Sequence, residues 1–157
     1  MMAGMHKFNR SAVSEFLKPM PQDEIEVIDR LILRSTNDIS APPGLSLKSL
    51  AVWRIESKSL SMDTENVRQK IINNLVNNGT YKVISREHLN ELLTEQNLSL
   101  SGAIDSSNAA KIGSLIGVEG FLTGYLSKTK NRIDLSLRII NSTSGQIIWS
   151  SNQHEKI

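Results

Sequence analysis

The order of patterns between residues 81 and 124, YKVISREHLNELLTEQNLSLSGAIDSSNAAKIGSLIGVEGFLTG, constrains the fold more than any other stretch of this chain. A short β-prone run (81–84) leads into a helical pattern that Ser85 can cap, with Leu89, Leu92 and Leu93 facing inward. A polar connection follows, then a small-residue helix over 106–116 closed by Gly117, then a second β-prone run from Gly120. Strand, two helices and strand in one short run make a crossover, which normally closes right-handed between parallel strands.

The flanking segments supply the rest of a sheet. Residues 49–55 (SLAVWRI) are mostly apolar, too short for a buried helix, and predict a central strand. Residues 64–78 place Val67, Ile71, Leu75 and Val76 on one helical face, with Asp63 or Thr64 as N-cap and Gly79 as the stop. After residue 120 the period changes to two: Ile133, Leu135, Leu137 and Ile139 alternate with Asp134, Ser136 and Arg138. Strands at 120–127, 133–140 and 146–150 should form an antiparallel meander, turning around Lys130-Asn131 and over 141–145, where Gly145 suits a positive φ. The predicted class is α+β, an α/β sandwich with a mixed five-stranded sheet backed by helices. Its core should include Leu50, Val52, Val83, Leu122, Leu135, Leu137 and Ile147.

The chain before residue 45 reads differently. Phe8, Ala12, Phe16 and Leu17 could line a short helix ended by Pro19 and Pro21. Ile25, Ile28, Leu31 and Ile32 recur at helical spacing over 22–37, and Ala41-Pro42-Pro43-Gly44 then breaks the chain. The predicted organisation is an N-terminal helical extension with a Pro/Gly linker over 1–44 and the α/β domain over 45–157.

Several function classes fall away on composition. There is no cysteine, which excludes disulfides, thiolate nucleophiles and zinc–thiolate sites. The net charge is only +2, and the basic cluster at 128–132 reads as a solvated turn, so no nucleic-acid partner is predicted. No run of about 18 apolar residues exists to span a membrane as a helix. Residues 1–16 lack the apolar centre of a signal peptide, which fits either a cytoplasmic protein or one whose leader has been removed.

The polar residues suggest a surface more than a reaction. His6, His88 and His154 are dispersed, and no Ser or Thr stands in a nucleophile elbow. Gly113, Gly117, Gly120 and Gly124 lack the strand–loop–helix setting and following Lys-Ser or Lys-Thr of a phosphate loop, and serve better in packing and capping. We therefore expect no catalytic, cofactor or metal site. Glu87, Glu91 and Glu95 recur at i, i+4 and i+8, either as the solvated side of an amphipathic helix or as an acidic docking stripe or metal-binding face. Leu98 and Leu100, with Ile104, sit in the polar connection after that helix, either pinned into the core or presented to a partner. These five (Glu87, Glu91, Glu95, Leu98 and Leu100) are the partner-docking candidates. Arg86, in a first helical turn, needs an acidic partner such as Asp105 or else is simply exposed.

The same residues carry a family pattern. It opens with Leu50-Ala51-Val52-Trp53 and continues with Leu75-Val76-Asn77-Asn78-Gly79. Val83, Ile84, Arg86, Leu89, Leu92, Leu93 and Glu95-Gln96 then keep its spacing, followed by Leu100-Ser101-Gly102. The helix end runs from Ala109 or Ala110 through Ile112-Gly113 and Leu115-Ile116 to Gly117-Val118. The close is Leu122-Thr123-Gly124, then Leu137-Arg138 through Gly145, Ile147, Ile148 and Trp149. Residues 49–157 thus resemble the family of CsgG, FlgO and the penicillin-binding-protein activator LpoB, whose domain is also similar to the N-terminal domain of TolB. Ser85 departs from the pattern, where many members carry Asp before the Arg, but it can still cap the helix.

The resemblance implies a non-catalytic bacterial envelope accessory protein that acts by protein–protein docking. Its implied place is the periplasm, anchored to the outer membrane by a lipid on a cysteine this sequence does not contain. The implied partner is an envelope protein, such as a penicillin-binding protein acting as a peptidoglycan synthase, or a flagellum-associated one. The Trp-plus-charged tail from Ile148 to Ile157 favours the LpoB-like branch. A CsgG-like secretion channel would need an amphipathic hairpin where only Lys130-Asn131 stands, and a small-ligand-binding module is the remaining alternative. No oligomeric state is implied.

Overall fold

The computed structural model describes residues 21–60, 63–95 and 106–157. In chain order the elements are α1 (Gln22–Asn37), β1 (Ser49–Lys58), α2 (Thr64–Asn78), β2 (Lys82–Val83), α3 (Arg86–Glu95), α4 (Ser106–Ile116), β3 (Gly120–Thr129), β4 (Arg132–Asn141) and β5 (Ile147–Lys156). The strands form one mixed sheet in the order β2-β1-β3-β4-β5. β1 is parallel to both β2 and β3, and β3, β4 and β5 are an antiparallel meander. The predicted fold class and meander are borne out.

The chain leaves β1 for β2 through α2, then returns past β1 to β3 through α3 and α4. The two crossovers run in opposite directions along the sheet. Connections of the same hand then place their helices on opposite faces. One face accordingly packs Leu50, Val52, Leu122, Leu135 and Leu137 against α1 and α2. The other packs Ala51, Trp53, Phe121 and Ile140 against α3 and α4. Trp53 meets Phe121 edge-on, with ring centroids 5.7 Å apart at 80°, a geometry worth about 0.5–1.5 kcal/mol beyond burial.

Local chemistry explains the element ends. The Asp63 carboxylate accepts from the Glu65 amide at 2.9 Å to start α2, and Gly79, at φ 74°, ends it. The Ser85 hydroxyl accepts from the His88 amide at 3.1 Å to start α3. In the β4–β5 turn the Asn141 side chain accepts from the Thr143 and Ser144 amides, each at 2.8 Å, before Gly145 at φ 71°. The β3–β4 turn is Lys130-Asn131 alone, with Lys130 at φ 50°.

Several expectations are corrected. Val76 is 53% exposed, because it flanks the buried Val67–Ile71–Leu75 stripe in the last turn of α2, where no described element covers it; Ile72 is buried instead. Leu92 is half-buried at the edge of its cluster, while Leu89 and Leu93 are fully covered. Ile147 is 56% exposed. The pairing of β4 with β5 shifts between Ile139 and Ile140, an irregularity that leaves Ile147 on an edge the helices do not reach. Ile148 and Trp149 pack against the first core in its place. The last strand runs to Lys156, well past residue 150, paired with β4 along its length.

α1 belongs to the packed body. Val27, Ile28, Leu31 and Ile32 are buried in the same cluster as α2 and the sheet. Polar contacts fix its outer side: Arg30 and Arg34 to Glu155, Lys70 to Asp29 at 2.7 Å, and Lys128 to the buried Glu24. The Trp149 indole N–H donates to the Asp38 carbonyl at 3.1 Å. The Ala41-Pro42-Pro43-Gly44 break is a turn between α1 and β1, with Gly44 at φ 83°.

Candidate functional site

Helices cover the two sheet faces unequally. α1 and α2 reach across β1, β3, β4 and β5 on one side. On the other, α3 and α4 cover only the end marked by Ala51, Trp53, Phe121 and Ile140. Beyond that end no described helix covers the sheet.

Two rungs of side chains cross the bare region, set by strand register. In one, Arg54 of β1, Thr123 of β3, Arg138 of β4 and Ser150 of β5 stand side by side. In the next, Glu56, Tyr125, Ser136 and Asn152 do the same. They line a groove of about 490 Å³ walled at one end by Trp53. A register shift in β1 between Val52 and Arg54 builds this face. Trp53 and Arg54 together oppose one residue of β3, so Ile55 returns to the first core while Arg54 and Glu56 stay on Trp53's side.

The chemistry of the groove is hydrogen bonding. Arg54 pairs with Glu56 at 2.8 Å, and the Arg138 Nε–H donates to the Thr123 hydroxyl at 3.4 Å. Tyr125 is 41% exposed. Among the described residues, hydroxyls, one amide and two guanidiniums line the surface, and the one carboxylate is already held by Arg54. No histidine among the described residues lines it: His88 is exposed on α3, 4.0 Å from Glu91, and His154 lies exposed on β5. Among the described residues no three His, Asp or Glu are gathered closely enough to hold a metal.

The carboxyls with depressed pKa values lie outside the groove. Glu119 is held below the usual carboxylate range by a hydrogen bond from Ser46 and by the Lys48 and Ser49 amides, at 2.6 and 3.2 Å, and so it fastens the start of β1. Glu155 is held down by Arg30, with Arg34 adding to the effect. Burial raises the Tyr81 phenol, which donates to the Ile39 carbonyl at 3.1 Å.

Of the residues singled out for docking, Glu87, Glu91 and Glu95 are exposed along α3. Their helix packs on the same side of the sheet as the groove. Leu98, Leu100, Ile104 and Asp105 lie outside the described residues, as do residues 8–17. The groove residues escape a reading along the chain, since Ser136 and Arg138 look like the ordinary solvated half of an alternating strand. Only the sheet order sets polar positions of four strands abreast.

No curated protein gives a significant sequence match. The fold is similar to solved structures. The LpoB C-terminal domain from Escherichia coli superposes with a TM-score of 0.69 at 19% identity, over 83% of this chain and 98% of that one. The LpoB C-terminal domain from Salmonella enterica gives 0.62 at 20%, over 84% and 97%. The lipoprotein GNA1162 from Neisseria meningitidis gives 0.52 at 13%, over 71% and 81%. At these identities the likeness speaks to fold. The family is settled by a sequence model that matches residues 35–128, more than half of the chain: this protein belongs to the family of the curli production assembly/transport component CsgG.

Proposed function

We propose that this chain is a non-catalytic accessory protein of the bacterial envelope that works by docking onto another envelope protein. The observation that carries this is the bare sheet end. It offers a groove that presents Arg54, Arg138 and the exposed Tyr125, residue types enriched in binding hot spots. It presents no nucleophile–base pair and no metal-holding cluster among the described residues. The family and the LpoB-like fold support the same reading. On it the domain faces the periplasm, tethered to the outer membrane through a lipidated cysteine outside the present sequence, and its partner is a peptidoglycan synthase or, in a FlgO-like role, a flagellum-associated protein. The Glu87/Glu91/Glu95 stripe, on a helix that packs on the same side of the sheet, extends the docking surface, and Leu98 and Leu100 are further candidates for the contact. A channel role is disfavoured at one place: a membrane-crossing strand needs about 9–11 residues, and the β3–β4 connection is Lys130-Asn131.

The test places a photocrosslinking amino acid at Tyr125 and, as control, at the exposed Asn77 of α2. Each variant is irradiated in envelope extract of the source organism, and the purified chain is added to that organism's peptidoglycan synthases. A defined envelope protein crosslinked from position 125 alone, or a faster glycan polymerisation rate, supports the reading. No crosslink and no change in rate would sink it.

A further inference from the structure

We infer that the groove takes an acidic segment of the partner protein, with a carboxylate seated on Arg138; this rests on the docking reading above. The charges facing the bare sheet decide the sign. Arg54 and Glu56 pair at 2.8 Å, and further along the same face Arg132 and Asp134 pair at 3.2 Å. Arg138 stands on β4, on the same rung as Arg54 and at the opposite end of the bare face from the Arg132–Asp134 pair. Among the described residues its guanidinium meets no carboxylate, and its one hydrogen bond there is the long one to Thr123. The net charge the groove presents is therefore positive and is centred on Arg138.

The shape of the site agrees with that sign. A guanidinium offers five N–H donors in a planar fork that matches a carboxylate in bidentate fashion. Thr123 and Ser150 flank it on its own rung, and Ser136, Asn152 and the Tyr125 phenol on the next supply further donors and acceptors for a partner backbone. The exposed ring of Tyr125 gives apolar surface for the side chain beside the acid. Partial enclosure weakens solvent screening, so an ion pair here counts for more than one on an open surface. The chemistry selected is an Asp or Glu beside an apolar side chain in an extended segment.

The probe is an N-acetylated peptide of roughly ten alternating Glu and Val residues, a length that spans a strand. Its counterparts are the Gln-for-Glu peptide and free acetate at matched carboxylate concentration. Amide spectra of the full chain are followed during titration. We expect the Glu peptide to shift Thr123, Arg138, Ser150 and their neighbours, and the Gln peptide and acetate not to. R138Q should raise Kd by about tenfold or more, with the thermal midpoint unmoved because the side chain is exposed. Shifts confined to another surface, equal binding by R138Q, or acetate reproducing the peptide's shifts would each overturn the proposal. The crosslink at position 125 separates this inference from its parent. If R138Q captures the envelope partner as well as the parent chain does, docking stands and the Arg138 anchor falls. If peptide binds in the groove but no envelope protein is captured, the docking reading fails and the groove chemistry stands.

Discussion

Gly113 shows how one hydrogen in place of a methyl sets the distance between two elements. In most helices Gly→Ala stabilises by about 1 kcal/mol. In α4 the added Cβ would stand 2.4 Å from the Ser142 Cβ and 3.3 Å from its carbonyl oxygen. Ser142 cannot swing aside cheaply, since it is buried and its hydroxyl donates to the Val118 carbonyl at 2.6 Å. G113A should therefore destabilise by about 1–3 kcal/mol, read as a lower urea midpoint. A higher midpoint would mean that α4 can lift from the end of β4 without loss. Gly113 was legible as a close-packing residue from its place late in a helix. Its counterpart Ser142 was not, because only the folded meander brings that turn beneath α4.

At the scale of elements, the ends of strands and helices were the legible part, since Asp63, Ser85, Gly79 and Gly145 act through neighbours one to four residues away. What each element leans on was hidden. The stripe of α1 is plain in the sequence, but nothing local shows that it lies on the same core as α2. The second half of β5 was invisible because its partner is the backbone of β4 and its outward residues are polar. Glu155 joins these two hidden relations. Its carboxyl, lowered chiefly by Arg30, adds stability that is fully present above its unfolded value near 4.5 and is lost as pH falls through the lower folded value. Thermal melts of wild type and E155Q at low salt should thus differ by a steady gap from neutral pH down to about 4.5, closing below it. Glu119 titrates in both proteins and drops out of the comparison. The gap should shrink in about 1 M salt, where charges are screened within a few ångströms. A gap that widens on acidification would show that Arg30 and Arg34 are not what holds α1 to β5.

For the molecule as a whole, the class was legible because crossover and meander have different periods, but the uneven helical cover was not. That cover depends on how far α3 and α4 extend over the sheet, a length that no pattern along the chain records. The docking stripe belongs at this scale too. E91K/E95K should weaken capture of the envelope partner while leaving the thermal midpoint nearly unchanged, since exposed charges contribute only about 0–1 kcal/mol to folding. Undiminished capture by the double variant would confine the contact to the groove. The register shift in β1 has a bearing on how such a surface can arise. Were Arg54 absent, Leu50, Val52 and Ile55 would still alternate with Ala51, Trp53 and Glu56, and neither core would lose its phase. One inserted codon can therefore add a basic side chain to the exposed side without rewriting the strand, and one deletion can remove it. The same length change in β3 or β4, which pair with each other without a shift along their whole length, would invert every residue that follows. Variation in length among relatives should accordingly be tolerated at this point of β1 and purged from the strands beside it.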